Sequence, residues 1–279
     1  MVRREGAAER RCRFWAPLLV PLQAGYAAIM SSPSVDIIRW GRERARTWPW
    51  RGDGNVAFLA PVPEAPVLSA AFLRRCLTIL GERGFARVVT SALSPLEQTG
   101  FLAAGFEVAE ELHLLSLDLD ALPPCPDVGV TRVAAAERPQ ILAIDRAAFS
   151  PFWQLDEHGL NEALGATPRT RFRAVIDGHS AVGRRVLIGY AINGRSGARG
   201  FVQRLAVAPE ARRHGLGRGL LLDGLHWMRR RGVRRAVVNT QVGNDAALAL
   251  YYDAGFHREP SGLSVMEAGL KVIRPTGGP

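Results

Sequence analysis

Lysine is nearly absent from this 279-residue chain, since Lys271 is the only one among 36 basic side chains. Against 26 acidic residues the arginines leave a formal net charge of +10, which favours anionic partners. The arginines are scattered along the chain, however, and no nucleic-acid-binding motif accompanies them. The charge alone therefore does not predict recognition of DNA or RNA.

Cysteine is also scarce, and the three cysteines show neither disulfide nor metal-ligand spacing. We therefore expect no bound metal, and the low cysteine content is compatible with a reducing cytoplasm. These residues are Cys12, Cys76 and Cys125.

Long apolar runs are missing as well, and no segment reaches the roughly 20 residues that a membrane-spanning helix needs. The arginine-rich start followed by Phe14 to Val20 superficially resembles a signal peptide, but Pro17 and Pro21 interrupt it. Residues 1–29 are therefore predicted to be an unstructured extension, with Met30 as a possible native start. The rest should be soluble, without a membrane partner.

The hydrophobic content of 47% is enough for packed cores. The length exceeds that of a typical domain of about 150 residues, so two domains are expected. Three prolines between 123 and 127 cannot join a helix or a central strand, which makes this segment the predicted linker. It divides a domain at 30–122 from a domain at 128–279.

The two parts repeat one pattern. A helix ending at Gly84 and a strand up to Thr90 precede Gly105-Phe106, and the same order recurs about 150 residues later. There a helix ends at Gly232, a strand follows, and Gly255-Phe256 comes next. The repeat predicts two related folds in one chain.

A basic turn lies between a strand and a helix of the second part. It reads Arg212-Arg213-His214-Gly215-Leu216-Gly217 and continues into Arg218. Backbone N–H groups at a helix N-terminus are unpaired and attract anions, and glycine lets the backbone approach a ligand closely. The segment is therefore a candidate cradle for a pyrophosphate.

A second motif follows the next strand, where Asn244, Ala247, Leu250, Tyr251, Gly255 and Phe256 are regularly spaced. Together with Val207-Ala208-Pro209 and the basic turn, it resembles the signature of GNAT-superfamily acyltransferases. The resemblance covers residues 128–279. It implies an α+β, three-layer fold in each domain, with only the second domain carrying a complete acyl-CoA cradle.

The same resemblance implies acetyl-CoA as cofactor and assigns the site residues. The pantetheine arm would lie where the strands at 201–207 and 235–240 separate. Tyr251 would be the general acid, since a phenol stays protonated at neutral pH. The cofactor would be bound by Leu205, Ala206, Val207, by the turn Arg212, Arg213, His214, Gly215, Leu216, Gly217 and Arg218, and by Asn244.

The first domain lacks these features. Where its cradle should lie, Pro61 to Pro66 offers three prolines, an acidic residue and no glycine, so it cannot wrap a phosphate. Phe101 stands at the place of Tyr251 and Ser94 at the place of Asn244. Residues 30–122 are therefore predicted to be a degenerate, non-catalytic domain.

The sequence leaves the general base open. Gln203 occupies the strand position where relatives carry a carboxylate, and an amide cannot accept a proton. The candidates elsewhere are Asp145, Asp156, Glu157 and His158, on the early helices that cover the acceptor site in the family, and a water relay is the alternative. The aromatic residues Phe149, Phe152 and Trp153 are either core or a wall of the acceptor pocket.

The element pattern of the second domain predicts strands at 128–133, 171–176, 186–193, 199–207 and 234–241, and helices at 135–149, 154–165, 215–231 and 245–254. A hairpin turn is predicted at 194–197, and a terminal hairpin with its turn at 260–262.

The expected activity is transfer of acetyl from acetyl-CoA to a primary amine, either a protein N-terminus, a lysine or a small amine. The alternative is a regulatory or interaction module that binds acyl-CoA without transfer. Either a monomer or a homodimer fits.

Overall fold

The computed structural model describes residues 36–62, 65–177 and 185–270. Below, residues 36–122 are called the N-terminal half and residues 128–270 the C-terminal half. The six α-helices are α1 Ala70–Glu82, α2 Pro95–Ala103, α3 Arg138–Ala148, α4 Glu157–Gly165, α5 Leu216–Arg230 and α6 Asp245–Asp253. The twelve strands are β1 Asp36–Trp40, β2 Glu43–Trp50, β3 Asp53–Pro61, β4 Arg87–Thr90, β5 Glu107–Asp118, β6 Val130–Arg132, β7 Arg169–Ile176, β8 Leu187–Ser196, β9 Arg199–Val207, β10 Arg235–Gln241, β11 His257–Arg258 and β12 Leu263–Gly269.

All twelve described strands join one mixed sheet in the order β1-β2-β3-β4-β12-β5-β10-β9-β8-β7-β6, with β11 also pairing with β5. The two halves exchange their long late strands. Strand β5 of the N-terminal half pairs antiparallel with β10, and β12 of the C-terminal half pairs antiparallel with β4. The halves therefore share a continuous backbone hydrogen-bond network.

This exchange makes the predicted terminal hairpin wrong. Strands β11 and β12 do not pair with each other, because both pair with β5. A two-residue strand offers few backbone bonds, whereas the gap between β4 and β5 offers β12 a partner on each side. The predicted turn at 194–197 is also shorter than expected, since β8 continues to Ser196 before β9 begins at Arg199.

Each half ends its long helix and its short helix in the same way. Gly84 and Gly232 follow α1 and α5 with positive φ angles of 91° and 78°. Gly105 and Gly255 follow α2 and α6 with φ angles of 94° and 96°. Glycine is favoured at all four positions because a side chain is strained in this left-handed region.

Helices cover the two faces of the sheet unequally. Helices α1 and α2 pack over a core that includes Phe72 and Phe101, and α5 and α6 pack over one that includes Leu225 and Tyr251. Along β5, Leu115 and Leu117 join the α5–α6 core, whereas Leu112 and Leu114 point to the other face. Helices α3 and α4 cover that other face in the C-terminal half only, which completes the predicted three layers.

On this other face, the N-terminal half has no covering helix within the described ranges. We call it the open face because no described helix covers it, and define it by the side chains of Arg46, Trp48, Trp50, Phe58 and Ala60, of which all but the partly exposed Trp48 are buried. Phe152 and Trp153, from the α3–α4 connection, pack against its aromatic residues. The C-terminal half therefore covers part of the open face.

Candidate active site

Strands β9 and β10 separate part-way along their length. Their parallel pairing runs from Arg235↔Arg199 to Val237↔Phe201 and then stops, although β9 continues to Val207 and β10 to Gln241. A β-bulge lies at the start of the separation, because Ile192 pairs with Arg204 and Asn193 with Val202, leaving Gln203 unpaired. The result is a wedge between residues 202–207 and 238–241.

The register of β9 decides which backbone groups face this wedge. The N–H of Ala208 donates to the carbonyl of Ile188 at 2.9 Å, so the antiparallel alternation turns the polar groups of Ala206 toward Tyr190 of β8. Those of Leu205 and Val207 point the opposite way, into the wedge. Of the three predicted pantetheine-binding residues, Leu205 and Val207 present their backbones there and Ala206 does not.

Helix α5 begins beside the wedge with unpaired amides. Gly215 is its N-cap, with φ of 75° and no side-chain capping bond, and Arg213 before it also has a positive φ of 68°. The N–H groups of Leu216, Gly217 and Arg218 contact no acceptor in the described part of the chain. They form a cluster of donors at the positive end of a 15-residue helix.

Protein packing does not explain the glycine at 217. A Cβ built there would meet nothing closer than the Leu250 side chain at 3.5 Å, which is an ordinary contact. Because Gly217 has no Cβ, the helix N-terminus is open to a ligand from the wedge side. The basic side chains nearby are held locally, since Arg212 Nε donates to the Val207 carbonyl at 3.3 Å and Arg218 Nε to Asp253 at 2.7 Å.

Helix α6 supplies the remaining predicted residues. The side-chain oxygen of Asn244 accepts the N–H of Ala247 at 3.3 Å and so caps the helix. Tyr251 is buried in the core that also holds Val202 and Val238, the residues on the two sides of the wedge. Tyr252, which points to a different face, is 48% exposed.

Burial raises the pKa of Tyr251 above its usual value, and the positive charge of Arg204 partly offsets this effect. The hydroxyl therefore keeps its proton throughout the neutral range. It can donate a hydrogen bond but cannot serve as a base.

On the opposite face of the sheet, Asp145 is fully buried among hydrogen-bond donors. Its carboxylate accepts from Arg204 Nε at 2.8 Å, from Arg204 Nη2 at 2.9 Å and from the N–H of Leu155 at 2.7 Å, and also from the hydroxyl of Tyr190. Arg204 additionally stacks 3.5 Å from the ring centre of Phe149. Asp145 is thus a structural anion with its lone pairs occupied, and the structure does not support it as the general base.

The other predicted bases either have a protein partner or lie exposed at the surface. Asp156 accepts the N–H of Gly159 at 2.7 Å and caps α4, and Glu157 is exposed in the first turn. His158 lies 3.2 Å from Glu162, one helical turn away. Burial raises the pKa of Glu162, while the charge of His158 works against this shift. Glu162 is not among the bases predicted from the sequence, although its spacing from His158 is that of a helical side-chain pair.

A residue of the N-terminal half contacts the α3–α4 connection. Arg51, in the β2–β3 turn, donates from Nη1 to the carbonyl of Phe152 at 2.7 Å and to that of Gln154. Its pKa is lowered to about 10, chiefly by burial and then by the charge of Arg204, against the opposing charges of nearby acids that include Glu162. Arg204 in turn donates to the carbonyl of Trp153 at 2.6 Å. The two arginines hold the α3–α4 connection from both halves.

Residues 138–256, which span α3 to α6, match the acetyltransferase (GNAT) family. This segment is a GNAT domain. A mycothiol acetyltransferase from Tsukamurella paurometabola is 33% identical over 155 residues, which are 50% of this chain and 52% of that protein. The chain therefore spans about half the length of this curated relative.

Solved structures resemble a larger part of the chain. A tandem GNAT protein from the clavulanic acid biosynthesis pathway matches with a TM-score of 0.62 at 15% identity, covering 84% of this chain and 81% of that one. A GCN5-related N-acetyltransferase from Kribbella flavida matches with a TM-score of 0.57 at 15% identity, covering 85% and 90%. These likenesses concern the fold, and they extend the GNAT architecture into the N-terminal half.

The N-terminal half has no corresponding wedge in its described residues. Strands β3 and β4 pair from Val56↔Arg87 to Leu59↔Thr90, and the N–H of Ser91 continues the ladder to the Leu59 carbonyl at 3.3 Å. Residues 63 and 64 of the predicted proline-rich segment lie outside the described part of the chain. No helix in the described part of the chain is long and apolar enough to cross a membrane.

Proposed function

We propose that this protein transfers an acetyl group from acetyl-CoA to a primary amine, using the single wedge of its GNAT domain. The observation that carries the proposal is the separation of β9 and β10 beside the unpaired amides of α5. An elongated, phosphate-bearing ligand needs both an unpaired strand edge and a donor cluster. The mycothiol acetyltransferase relative adds support from sequence.

The residues present fit acetyl-CoA. Its pyrophosphate would be held by the amides of residues 216–218 together with Arg212 and Arg213, and its pantetheine amides by the backbones of Leu205 and Val207. The bound cofactor supplies an acetyl group activated as a thioester. An acidic or bulky side chain at Gly217 would obstruct this cradle.

Tyr251 suits the task of the general acid, because burial keeps its hydroxyl protonated beside the two strands that form the wedge. Its hydroxyl would donate to the departing sulfur, a contribution expected to be about 10²- to 10⁴-fold in rate. We assign the general base to Glu162. Burial raises the pKa of this carboxyl, which makes it a stronger proton acceptor than an ordinary glutamate.

The acceptor would enter on the face of the sheet that carries α3 and α4. Arg51 and Arg204 tie down the α3–α4 connection there, and Phe152 and Trp153 add apolar surface. A connection held from both halves favours a small amine over a protein N-terminus or a lysine. We expect the protein to work in the cytoplasm as a monomer or homodimer, without nucleic acid.

The test combines binding with turnover. Titration calorimetry with acetyl-CoA should give one saturable site, and Gly217→Glu should abolish it. Gly54→Glu adds the same charge in the N-terminal half, where a side chain meets open space, and should bind normally. Thiol release across a panel of amines then separates the two hypotheses, because binding without turnover would support the regulatory acyl-CoA-binding module instead.

A further inference from the structure

Arg46 is a buried arginine with no counterion among the described residues. It lies on β2 and is only 8% exposed, and its buried Nε has no hydrogen-bond partner among the described residues. Burial lowers its pKa, and no acid opposes this shift. An isolated buried charge is costly, so such a group is normally paired or is hydrogen-bonded to a ligand.

Two further buried donors lie nearby. Trp48, two residues along β2 on the same side of the sheet, has a buried indole N–H that faces the carboxyl of Glu162 and lowers the pKa of that carboxyl. Arg46 pairs across to Ala60 of β3, next to Leu59, whose carbonyl accepts the N–H of Ser91. The hydroxyl of Ser91 is itself buried and unpartnered. Arg46 Nε and the Ser91 hydroxyl are therefore buried donors without an acceptor among the described residues, and the indole of Trp48 lies between this region and Glu162.

These donors border the proposed acceptor side of the GNAT domain. Arg46 and Trp48 lie on the open face, which continues through Trp50 to Arg51 and the α3–α4 connection. The ring of Trp50 lies 6.1 Å from that of Phe152. Glu162 lies beyond Trp48 and acts electrostatically on Arg51. The open face thus has the positive charge of Arg46 at one end and the carboxylate of Glu162 at the other.

We propose that Arg46 binds a carboxylate of the acceptor, so that the substrate class is an amine that also carries a carboxylate, as amino acids do. This inference rests on the proposed acetyl transfer. A planar guanidinium matches a carboxylate in two parallel hydrogen bonds, and one buried positive charge balances one negative charge. A phosphate, with nearly two charges at neutral pH, would leave an excess negative charge buried. The amino group of the same molecule would face Glu162.

The test compares amines that differ only in the carboxylate. Tryptophan and tryptamine form one pair, and phenylalanine and phenethylamine another, chosen because the partly exposed Trp48 offers an aromatic surface on the open face. The wild-type kcat/KM should be at least about tenfold higher for the carboxylate-bearing member, a usual size for one charged hydrogen-bonded contact. Arg46→Met should remove this preference while leaving the plain amines within about threefold. Arg44→Met, at an exposed site on the same strand, should keep it.

Thermal unfolding gives a readout that does not need turnover. N-acetyltryptophan should raise the Tm of the wild type and not that of Arg46→Met. Without ligand, Arg46→Met should be at least as stable as the wild type, because it removes an unpaired buried charge. A purely structural arginine would instead lower the Tm on substitution, with the substrate preference unchanged.

The outcomes separate this inference from the proposed function. Acetylation of amines without any carboxylate preference would overturn the inference and leave the function standing. If no amine is acetylated, the function fails, and the Arg46-dependent Tm shift alone supports the carboxylate site. A shift produced by inorganic phosphate but not by N-acetyltryptophan would overturn the carboxylate assignment.

Discussion

Tyr251 and Phe101 occupy the same structural position in the two halves of the chain. Each precedes a glycine with positive φ by four residues and packs against the phenylalanine after it, with ring centres 5.7 Å apart for Tyr251–Phe256 and 5.0 Å for Phe101–Phe106. In both, the carbonyl accepts the N–H of that phenylalanine, at 3.0 Å and 3.1 Å. The two residues differ by the hydroxyl of Tyr251, and both rings pack in an apolar core.

Tyr251→Phe should therefore separate chemistry from packing. The ring contacts are kept, so cofactor affinity and Tm should be nearly unchanged. Turnover should fall about ten- to a thousandfold, because the proton donor at the leaving group is lost. Steady-state kinetics together with calorimetry would measure both effects, and full activity in the variant would remove Tyr251 from the mechanism.

The reverse exchange, Phe101→Tyr, is the matched control. It should not create a second active site, because β3 and β4 stay paired and leave no wedge. The new hydroxyl would lie in a fully buried apolar cluster, so we expect a loss of about 1–3 kcal/mol in unfolding free energy for an unsatisfied polar group. Urea denaturation would show it.

One acetyl-CoA should bind per chain. Only the C-terminal half combines a strand separation with unpaired helix amides among the described residues. Calorimetric stoichiometry is the direct measurement. A value near two would mean that the N-terminal half holds a cofactor by contacts other than these.

The sequence predicted the parts of the fold that depend on local patterns. The strand, basic turn and helix around Gly215 and the repeat of Gly105 in Gly255 follow from residue types that few other conformations accept. The strand exchange could not be predicted in this way. Whether β12 pairs with β4 or with β11 depends on which edges are free elsewhere in the chain, and the sequence of β12 suits either partner.

The acceptor side was also less predictable than the cofactor side. Arg51 and Arg46 belong to the N-terminal half, and their proposed roles depend on the contact of that half with the C-terminal half. Asp145 looked available in the sequence, but Arg204, Tyr190 and Leu155 all donate to it in the fold. Contacts between residues far apart in the chain decided each of these roles.

Asp145 and Arg204 should stabilise the fold only when both are present. Asp145→Asn leaves a nearly buried guanidinium uncompensated, and we expect a loss of roughly 3–5 kcal/mol in unfolding free energy. The double variant Asp145→Asn with Arg204→Met should recover part of this loss. Asp253→Asn breaks the exposed pair with Arg218 and should cost at most about 1 kcal/mol. Equal losses for the two aspartates would contradict the buried-pair explanation.

Glu162 should set the acidic limb of the pH–rate profile. Its pKa is raised in the folded protein, so the basic form appears only as the pH rises through that value, and kcat/KM should rise over the same range. Glu162→Gln should abolish this limb and lower the rate at neutral pH about 10²-fold or more.

Stability should respond to Glu162 with the opposite sign. A carboxyl with a raised folded pKa contributes stability that is fully present below its unfolded pKa and is lost as the pH rises through the folded value. Glu162→Gln should remove this loss, so the variant should gain stability relative to the wild type above neutral pH and show no such gain at pH 4. Glu157→Gln, at the exposed first turn of the same helix, is the control and should change neither the pH–rate profile nor this difference. If Glu162→Gln keeps the acidic limb, the general base is another group, and a water relay becomes the explanation to test.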